Sequence, residues 1–246
     1  MPVTGAYRED LASIHDAGFG EFALHAGRFV VDQLARSGAP RGEVVDLGCG
    51  SGITARVLRD AGYGVTGIDL SAALVERARR RVPDATFRVG SFVTEPVPDC
   101  VAVTAIGEVF GYAFDTANCE RVRADVFERI HRALAPGGLL VFDVATPQRA
   151  PRDGPVRSFT EGEGWAVLVQ AHSDDARRVL TRHITTFRRV GELYRRDTET
   201  HVQHLIVPED VVDVLERIGF QVHGLASYGA LPLLPGVAGF VARKRT

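Results

Sequence analysis

Hydrophobic and polar positions change period several times along the chain, and each change predicts a new element. Between residues 7 and 37 the apolar positions recur at mostly helical spacing. Gly18 and Gly20 interrupt them, so we predict two helices, the second ended by the Ser37-Gly38-Ala39-Pro40 stretch. From Glu43 short apolar runs alternate with helical stretches. The runs predict strands at 43–47, 64–69, 85–89, 99–105 and 138–144, and helices at 51–61, 71–81 and 117–135.

This strand–helix alternation is typical of a parallel sheet with helices on both faces. Ser71 precedes the second of these helices and is a predicted N-cap. In open sheets of this kind, ligands bind beyond the carboxyl ends of the strands. We therefore expect the functional residues of the first half of the chain to follow its strands directly.

After Pro147 the pattern changes again. Residues 147–155 are rich in Pro, Gly and Arg and predict a linker, and three strand-like stretches follow at 165–172, 177–190 and 194–207. Neither face of the middle stretch is strongly apolar, which favours an antiparallel meander with a solvated side. The many arginines make the meander locally basic, which fits a solvated face, an acidic or phosphorylated acceptor, or a partner subunit. Pro208 opens a predicted helix that Gly219 closes, and 220–227 with 237–243 predict a terminal hairpin.

Composition narrows the class of protein. The 246 residues are 45% hydrophobic and 24% charged, as in a soluble globular enzyme. The net charge of −2 provides no basic field for nucleic acid or an anionic membrane. No apolar run approaches the roughly 18 residues that span a bilayer, and the first ten residues lack an apolar signal core, so we expect a cytoplasmic protein. The three cysteines have no metal-ligand spacing, and we expect small buried residues and no metal site.

The candidate chemistry centres on a glycine turn after the first predicted strand. Asp46-Leu47-Gly48-Cys49-Gly50-Ser51-Gly52 spaces its glycines G-x-G-x-G, whereas the dinucleotide fingerprint is G-x-G-x-x-G. Asp46 would also repel a pyrophosphate. The turn instead suits a cationic, phosphate-free ligand such as S-adenosylmethionine, and an NAD-dependent oxidoreductase is disfavoured. Asp69, at the end of the next strand, is suited to bind a ribose diol.

The same stretch resembles motif I of the class I S-adenosylmethionine-dependent methyltransferases, position by position. Further resemblances follow in the family's order. Residues 67–71 (GIDLS) resemble its acidic second-strand motif, and residues 87–92 (FRVGSF) its adenine-binding turn. Residues 134–142 resemble the turn into its fifth strand, and 220–243 its antiparallel sixth and seventh strands. The resemblance implies an α/β fold: a Rossmann-like, mostly parallel sheet with an antiparallel terminal hairpin, plus an antiparallel β insertion.

The resemblance also implies which residues hold S-adenosylmethionine and its product, S-adenosylhomocysteine. Motif I would line the methionine portion, Asp69 the ribose, and the adenine turn the base. Two N-terminal aromatic residues could close the pocket. The implied cofactor-binding residues are Tyr7, Phe19, Asp46, Gly48, Cys49, Gly50, Asp69, Leu70, Ser91, Phe92, Ile106 and Gly107. Ser91 departs from the family, which usually has an Asp there, and Val101 stands where the fourth strand often opens with an acid.

Candidate catalytic residues follow the fourth strand and lie on the last strand of the meander. Glu108, flanked by Val109 and Phe110, is expected to face the cleft, where it could bind the acceptor or the cofactor's ammonium, or act as a base. The alternative is an ordinary loop acid. His201 and His204 are candidate bases on opposite faces of their strand. Each is as easily a packing or surface histidine.

These observations predict a methyltransferase with a small-molecule N or O acceptor. We expect an N-terminal helical cap (1–40), a cofactor-binding core (41–148 and 208–246) and a β-rich insertion (149–207) over the acceptor site. A protein or tRNA methyltransferase, or a non-catalytic cofactor-binding module, stays an alternative. The mixed faces of the insertion fit a homodimer interface as well as a shield for the pocket.

Overall fold

A computed structural model describes residues 6–38, 41–151 and 154–245. The helices are α1 (Glu9–Gly18), α2 (Gly20–Ser37), α3 (Ile53–Asp60), α4 (Ala72–Arg81), α5 (Glu120–Ala133) and α6 (Pro208–Ile218). The strands are β1 (Glu43–Leu47), β2 (Gly64–Asp69), β3 (Thr86–Val89), β4 (Cys100–Ala105), β5 (Leu134–Ala145), β6 (Val156–Gly162), β7 (Trp165–Asp174), β8 (Val179–Val190), β9 (Leu193–His204), β10 (Phe220–Leu225), β11 (Ser227–Tyr228), β12 (Leu231–Pro232) and β13 (Val237–Lys244).

Seven strands form the central sheet, in the order β10-β13-β5-β4-β1-β2-β3. Neighbouring strands from β5 to β3 are parallel, whereas β13 runs antiparallel to both β5 and β10. The predicted Rossmann-like sheet with an antiparallel terminal hairpin is thus confirmed. Every residue of β4 is buried, as expected of a strand covered on both faces.

Helices cover both faces of this sheet and form two apolar layers. Residues of α2, α3 and α4 pack on one face with Val44 and Val141, and residues of α5 and α6 pack on the other with Val45 and Phe142. The predicted helix boundaries hold closely, although α3 begins after Gly52 instead of at Ser51. The Ser71 hydroxyl accepts a hydrogen bond from the Leu74 N–H, which confirms the predicted cap of α4. Ala39 and Pro40, at the predicted stop of α2, lie outside the described residues.

A second, four-stranded antiparallel sheet has the order β6-β7-β8-β9. The meander was predicted, but β6 was not, because its Pro- and Gly-rich approach resembles a linker. The expectation that neither face is strongly apolar is only half right. Val167 and Ile184 are buried on the inner face against Leu11 and Ile14 of α1. Helix α1 therefore provides an apolar surface that the strands alone do not show.

Charged side chains also join α1 to the second sheet. Asp10 is only 3% exposed and receives hydrogen bonds from Arg188 and Arg195. Arg8 donates to Asp197. Arg182 of the same sheet is mostly buried, so part of the arginine cluster is not the solvated face that its composition predicts. The cysteine prediction also needs one correction, because Cys49 and Cys100 are buried but Cys119 is exposed.

Candidate active site

The glycine turn after β1 is held in a conformation that leaves its backbone open. Gly48, Gly50 and Gly52 have φ angles of 65°, 53° and 78°, in the left-handed region that glycine adopts without strain. A side chain at Gly48 would collide with Val109, whereas a Cβ at Gly50 would meet no atom within 4 Å. The main chain at Gly50 therefore faces open space at the carboxyl end of the sheet, where a ligand can approach it closely.

Asp69 fixes this turn relative to the next helix. Its Oδ2 accepts from the Gly50 N–H at 2.9 Å and its Oδ1 from the Ser71 N–H at 2.8 Å. Burial raises the pKa of Asp69, and these two backbone donors oppose the rise. Each carboxylate oxygen keeps a further lone pair, so the group can still accept from a pair of hydroxyls. This is the geometry that a ribose-binding carboxylate requires.

Asp46 lies beside the turn with one oxygen unsatisfied. Its Oδ1 accepts from the Thr104 hydroxyl at 2.6 Å, and its Oδ2 has no hydrogen-bond partner among the described residues. Burial raises the pKa of Asp46 to about 7, and the nearby Asp69 adds to the rise. An unpartnered buried acceptor is costly, and a cationic N–H donor would satisfy it.

On the side where the resemblance places adenine, the structure assigns backbone and side chain different tasks. The Phe92 ring packs on Phe110 in the core, and the Ser91 hydroxyl accepts from the Val93 N–H. Arg129 donates to the Phe92 and Val93 carbonyl groups, 2.6 Å from each, and so holds this turn. Main-chain groups and Leu70, which is half-buried, are left to meet a ligand.

Like Phe92, Cys49 buries its side chain and leaves its backbone available to a ligand. Its side chain is buried, and its sulfur lies so close to Gly67 that a Cβ there would be 2.8 Å from it. The thiol therefore packs between strands, and the backbone of Cys49 is the part available to the turn.

Glu108 lies in a turn after β4, next to Ile106 and Gly107, and is buried. Its Oε2 accepts from Gln203 at 2.9 Å and from Arg182 at 3.3 Å, and both of these residues belong to the second sheet. Arg149 Nε lies 3.3 Å from Oε1. Within the described part of the chain, neither of these two atoms has a hydrogen bond. Glu108 is thus a buried residue paired with the second sheet and not a solvated loop acid.

An aromatic cluster encloses the space next to Glu108. The His201 ring lies 4.9 Å from the Tyr7 ring and 4.8 Å from the Phe114 ring, centre to centre. His201 is 2% exposed, and its Nε2 lies 2.9 Å from Glu199 Oε2. Because the carboxylate can only accept, Nε2 is the donor in this pair and the ring is held with Nδ1 on its other side.

Two predicted site residues, His204 and Phe19, lie apart from the other predicted site residues. His204 is on the other face of β9, half-buried, and its pKa is lowered by burial and by Arg123. Phe19 is 41% exposed and packs near Trp165, at the outer rim between α1 and the second sheet. The remaining predicted residues lie at or next to the carboxyl ends of the central strands or on the N-terminal segment above them.

Several residues of the site carried no signal in the sequence that we recognised. They are Asp143, Arg149, Glu199 and Gln203. Asp143 interrupts the apolar run of β5, and that charge in a core strand is the one signal that could have identified it.

Comparison with known proteins agrees with this geometry. A family model described as a methyltransferase domain matches residues 44–138, which include the glycine turn, Asp69 and Glu108. Trans-aconitate 2-methyltransferase of Methylobacterium nodulans is 34% identical over 66% of this chain and 62% of its own length. The same enzyme of Paracidovorax citrulli is 32% identical over 56% of this chain and 51% of its own length. The chain thus spans less than two thirds of each relative.

The structural comparison covers nearly the whole molecule. An S-adenosylmethionine-dependent methyltransferase from Clostridium acetobutylicum superimposes with a TM-score of 0.81 over 96% of this chain and 98% of its own, at 15% identity. Residues 44–138 form a methyltransferase domain of the class I S-adenosylmethionine-dependent type.

The residues of this methyltransferase fit its cofactor. The unpartnered Oδ2 of Asp46 suits the cofactor's ammonium, the two oxygens of Asp69 suit the ribose hydroxyls, and the open backbone at Gly50 gives the methionine chain room. Tyr7 is placed to cover this region, because its carbonyl accepts from the Ser71 hydroxyl at 2.7 Å. In the described part of the chain, no helix is long and apolar enough to cross a membrane.

Proposed function

We propose that this methyltransferase modifies an N–H or O–H group of a small molecule held between the Glu108 turn and the inner face of the second sheet. The observation that carries the proposal is Oε1 of Glu108, which Arg149 Nε approaches to 3.3 Å without forming a hydrogen bond. The Glu108 side chain is 11% exposed, and Oε1 has no hydrogen-bond partner in the residues that the structure describes. A buried carboxylate oxygen of this kind needs a donor, and an amine or hydroxyl acceptor would supply it.

The chemistry asks little of the protein beyond alignment. When bound, S-adenosylmethionine supplies an activated methyl group on a cationic sulfur. Glu108 would accept a hydrogen bond from the acceptor's N–H or O–H group. This bond would turn the lone pair of the acceptor atom toward the methyl group. His201 is the proposed base for the released proton, through Nδ1, since Glu199 fixes the ring through Nε2. The aromatic side chains around His201 keep water from the site.

We also propose the division into a helical cap, a cofactor-binding core and an insertion that covers the acceptor. The contacts of Gln203 and Arg182 with Glu108 support a role for the inner face of the second sheet in acceptor binding. Enclosure by α1 and this sheet favours a small acceptor over a protein or tRNA segment. The net charge of −2 supports the same choice.

A second candidate reaction is O-methylation of a carboxylate. Two guanidinium groups, of Arg149 and Arg182, lie against Glu108, and Arg149 Nε is buried without a hydrogen bond among the described residues. Such donors suit an anionic acceptor, and the reported relatives are named for trans-aconitate. In this reaction the nucleophile has no proton to lose, so His201 would not act as a base.

The deciding experiment incubates the enzyme with methyl-labelled S-adenosylmethionine and three panels of metabolites: primary amines, alcohols or sugars, and di- and tricarboxylates. Product masses identify the methylated class. Glu108→Gln should lower turnover of an amine or alcohol at least tenfold, because a neutral amide accepts the donor more weakly than a carboxylate. Arg182→Gln should affect carboxylates more. If Glu108→Gln leaves turnover and the affinities for cofactor and acceptor unchanged, Glu108 has no role in the reaction.

A further inference from the structure

Asp143 is a carboxylate near the carboxyl end of an otherwise apolar strand. It lies in β5 between Phe142 and Val144 and is 0% exposed. Burial raises the pKa of Asp143 to about 6. A buried acid destabilises a core strand unless its oxygens are hydrogen-bonded, so its contacts indicate why it is present.

Both oxygens of Asp143 accept hydrogen bonds from groups outside its own strand. Oδ1 accepts from the Glu108 N–H at 2.6 Å, and Oδ2 accepts from the Gly107 N–H at 3.0 Å and the Tyr228 hydroxyl at 2.8 Å. These donors come from the turn after β4 and from β11. One side chain therefore satisfies two consecutive buried backbone N–H groups and a buried phenol.

The turn that Asp143 holds is conformationally unusual. Gly107 has a φ angle of 92° and Glu108 one of 63°, so two successive residues are left-handed. For glycine this is easy, but for glutamate the left-handed conformation is unfavourable and persists when surrounding contacts impose it. The two hydrogen bonds to Asp143 are such contacts. They set the direction in which the Glu108 side chain leaves the backbone.

We propose that Asp143 is a positioning residue for methyl transfer: it holds the turn of Gly107 and Glu108 so that Oε1 of Glu108 faces the transferred methyl group. The inference rests on the proposed function, because it assigns Asp143 an effect through Glu108. Asp143 itself touches neither cofactor nor acceptor. Its carboxylate accepts hydrogen bonds from three donors of the protein.

The test needs no identified acceptor, because a cofactor analogue reports on the same position. Sinefungin carries an amino group on the carbon that replaces the methylated sulfur of the cofactor, and S-adenosylhomocysteine carries nothing there. The ratio of their dissociation constants, measured by calorimetry, therefore isolates the contact at the transfer position from all shared contacts. Glu108→Gln should weaken sinefungin relative to S-adenosylhomocysteine by about tenfold, as expected for the loss of one charged hydrogen bond.

Two substitutions of Asp143 then separate positioning from simple structural support. Asp143→Leu keeps the shape but removes every acceptor, and it should lower the sinefungin preference by about the same tenfold. Asp143→Asn keeps one oxygen for the turn and should recover most of the preference. In the double variant with Glu108→Gln, Asp143→Leu should add little, because both changes remove one contact.

Each outcome decides the question. Equal loss of both affinities in Asp143→Leu, or additive losses in the double variant, would mean that Asp143 only supports the fold, and the inference would be overturned while the role of Glu108 stands. An unchanged ratio in Glu108→Gln would remove Glu108 from the transfer site, and both the assignment of Glu108 and the inference would fall.

A second route covers the case in which Asp143→Leu does not fold. Gly107→Ala strains the same turn without touching Asp143, because alanine disfavours the φ angle of 92° although a Cβ there meets nothing within 4 Å. It should lower the sinefungin preference as well. Gly191→Ala is the matched control: its φ of 63° and open surroundings are similar, but it lies at the tip of the β8–β9 hairpin and should leave the ratio unchanged.

Discussion

The phenol oxygens of Tyr7 and Tyr112 lie 3.2 Å apart and share a hydrogen bond. Tyr112 follows the Glu108 turn, whereas Tyr7 precedes α1, and the Tyr7 carbonyl also accepts from Ser71 beside Asp69, the proposed ribose ligand. One residue of the N-terminal segment thus contacts both the proposed cofactor side and the proposed acceptor side. Burial raises the pKa of Tyr7 well above its usual value, so this phenol keeps its proton. The position of α1 is therefore coupled to both halves of the site.

Tyr7→Ala should weaken S-adenosylhomocysteine binding at least fivefold, because it removes the ring that covers the region between Ser71 and His201. Tyr7→Phe should change the affinity less than twofold and cost about 1 kcal/mol of stability, the usual value of one hydrogen bond. Calorimetry and chemical denaturation give the two quantities. Equal affinities for wild type and Tyr7→Ala would show that the ring does not cover the cofactor.

Asp10→Asn should release α1 from the second sheet, since it leaves Arg188 and Arg195 without their shared carboxylate. The expected loss of unfolding free energy is about 1–2 kcal/mol, below the figure for a fully buried pair because Arg195 is half-exposed. Hydrogen exchange of α1 should rise in step. Asp197→Asn is the control: Asp197 pairs with Arg8 and is more exposed than Asp10, so its loss should lower the unfolding free energy by less.

The pH dependence of this contact has a defined sign. Hydrogen bonds from Arg195 and Arg188 hold the pKa of Asp10 below its usual value. Its contribution is therefore present above the pKa of an unfolded aspartate and is lost as the pH falls through the folded value. The stability difference between wild type and Asp10→Asn should shrink on acidification below about pH 4. A difference that grows there would contradict the assignment.

How much the sequence predicts depends on whether a feature is local. The glycine turn, Asp69 and the cap at Ser71 depend on neighbours close in the chain, so spacing and residue type were enough to identify them. Arg182 and Gln203 join the site only because β8 and β9 fold back over β4, a contact across more than 70 residues. Nothing in the sequence explains the charge of Asp143 in a core strand, because its three donors are distant along the chain.

The same distinction explains the errors in the second half of the chain. Alternation along β8 shows mixed faces, because part of its inner face packs on charged and apolar residues of α1, far away in sequence. The arginines therefore resemble a solvated surface, although Arg182 pairs with Glu108 and Arg188 with Asp10. Long-range pairing of this kind leaves no periodic signal in either partner.

Asp69→Ala should weaken S-adenosylhomocysteine binding about 10- to 100-fold, because it removes acceptors for the ribose and also frees the Gly50 N–H that orders the glycine turn. Asp84→Ala is the matched control: its carboxylate pairs with Arg59 on the surface and should not affect the cofactor. Calorimetry measures both. Tight binding of S-adenosylhomocysteine by Asp69→Ala would show that Asp69 does not bind the ribose.

Cofactor affinity should rise with pH and level off above about pH 7, through Asp46. The pKa of about 7 means that this carboxyl is largely protonated in mildly acidic buffer, yet the unpartnered oxygen suits a cationic donor only when it is charged. Because binding then requires loss of a proton, the dissociation constant of S-adenosylhomocysteine should fall by up to about tenfold per pH unit below pH 7. In the free protein the sign is opposite: folded Asp46 keeps its proton to a higher pH than the unfolded chain, so its contribution to stability declines as the pH rises toward 7. Asp46→Asn should abolish both slopes, and a pH-dependent affinity that survives this substitution would assign the titration to another group.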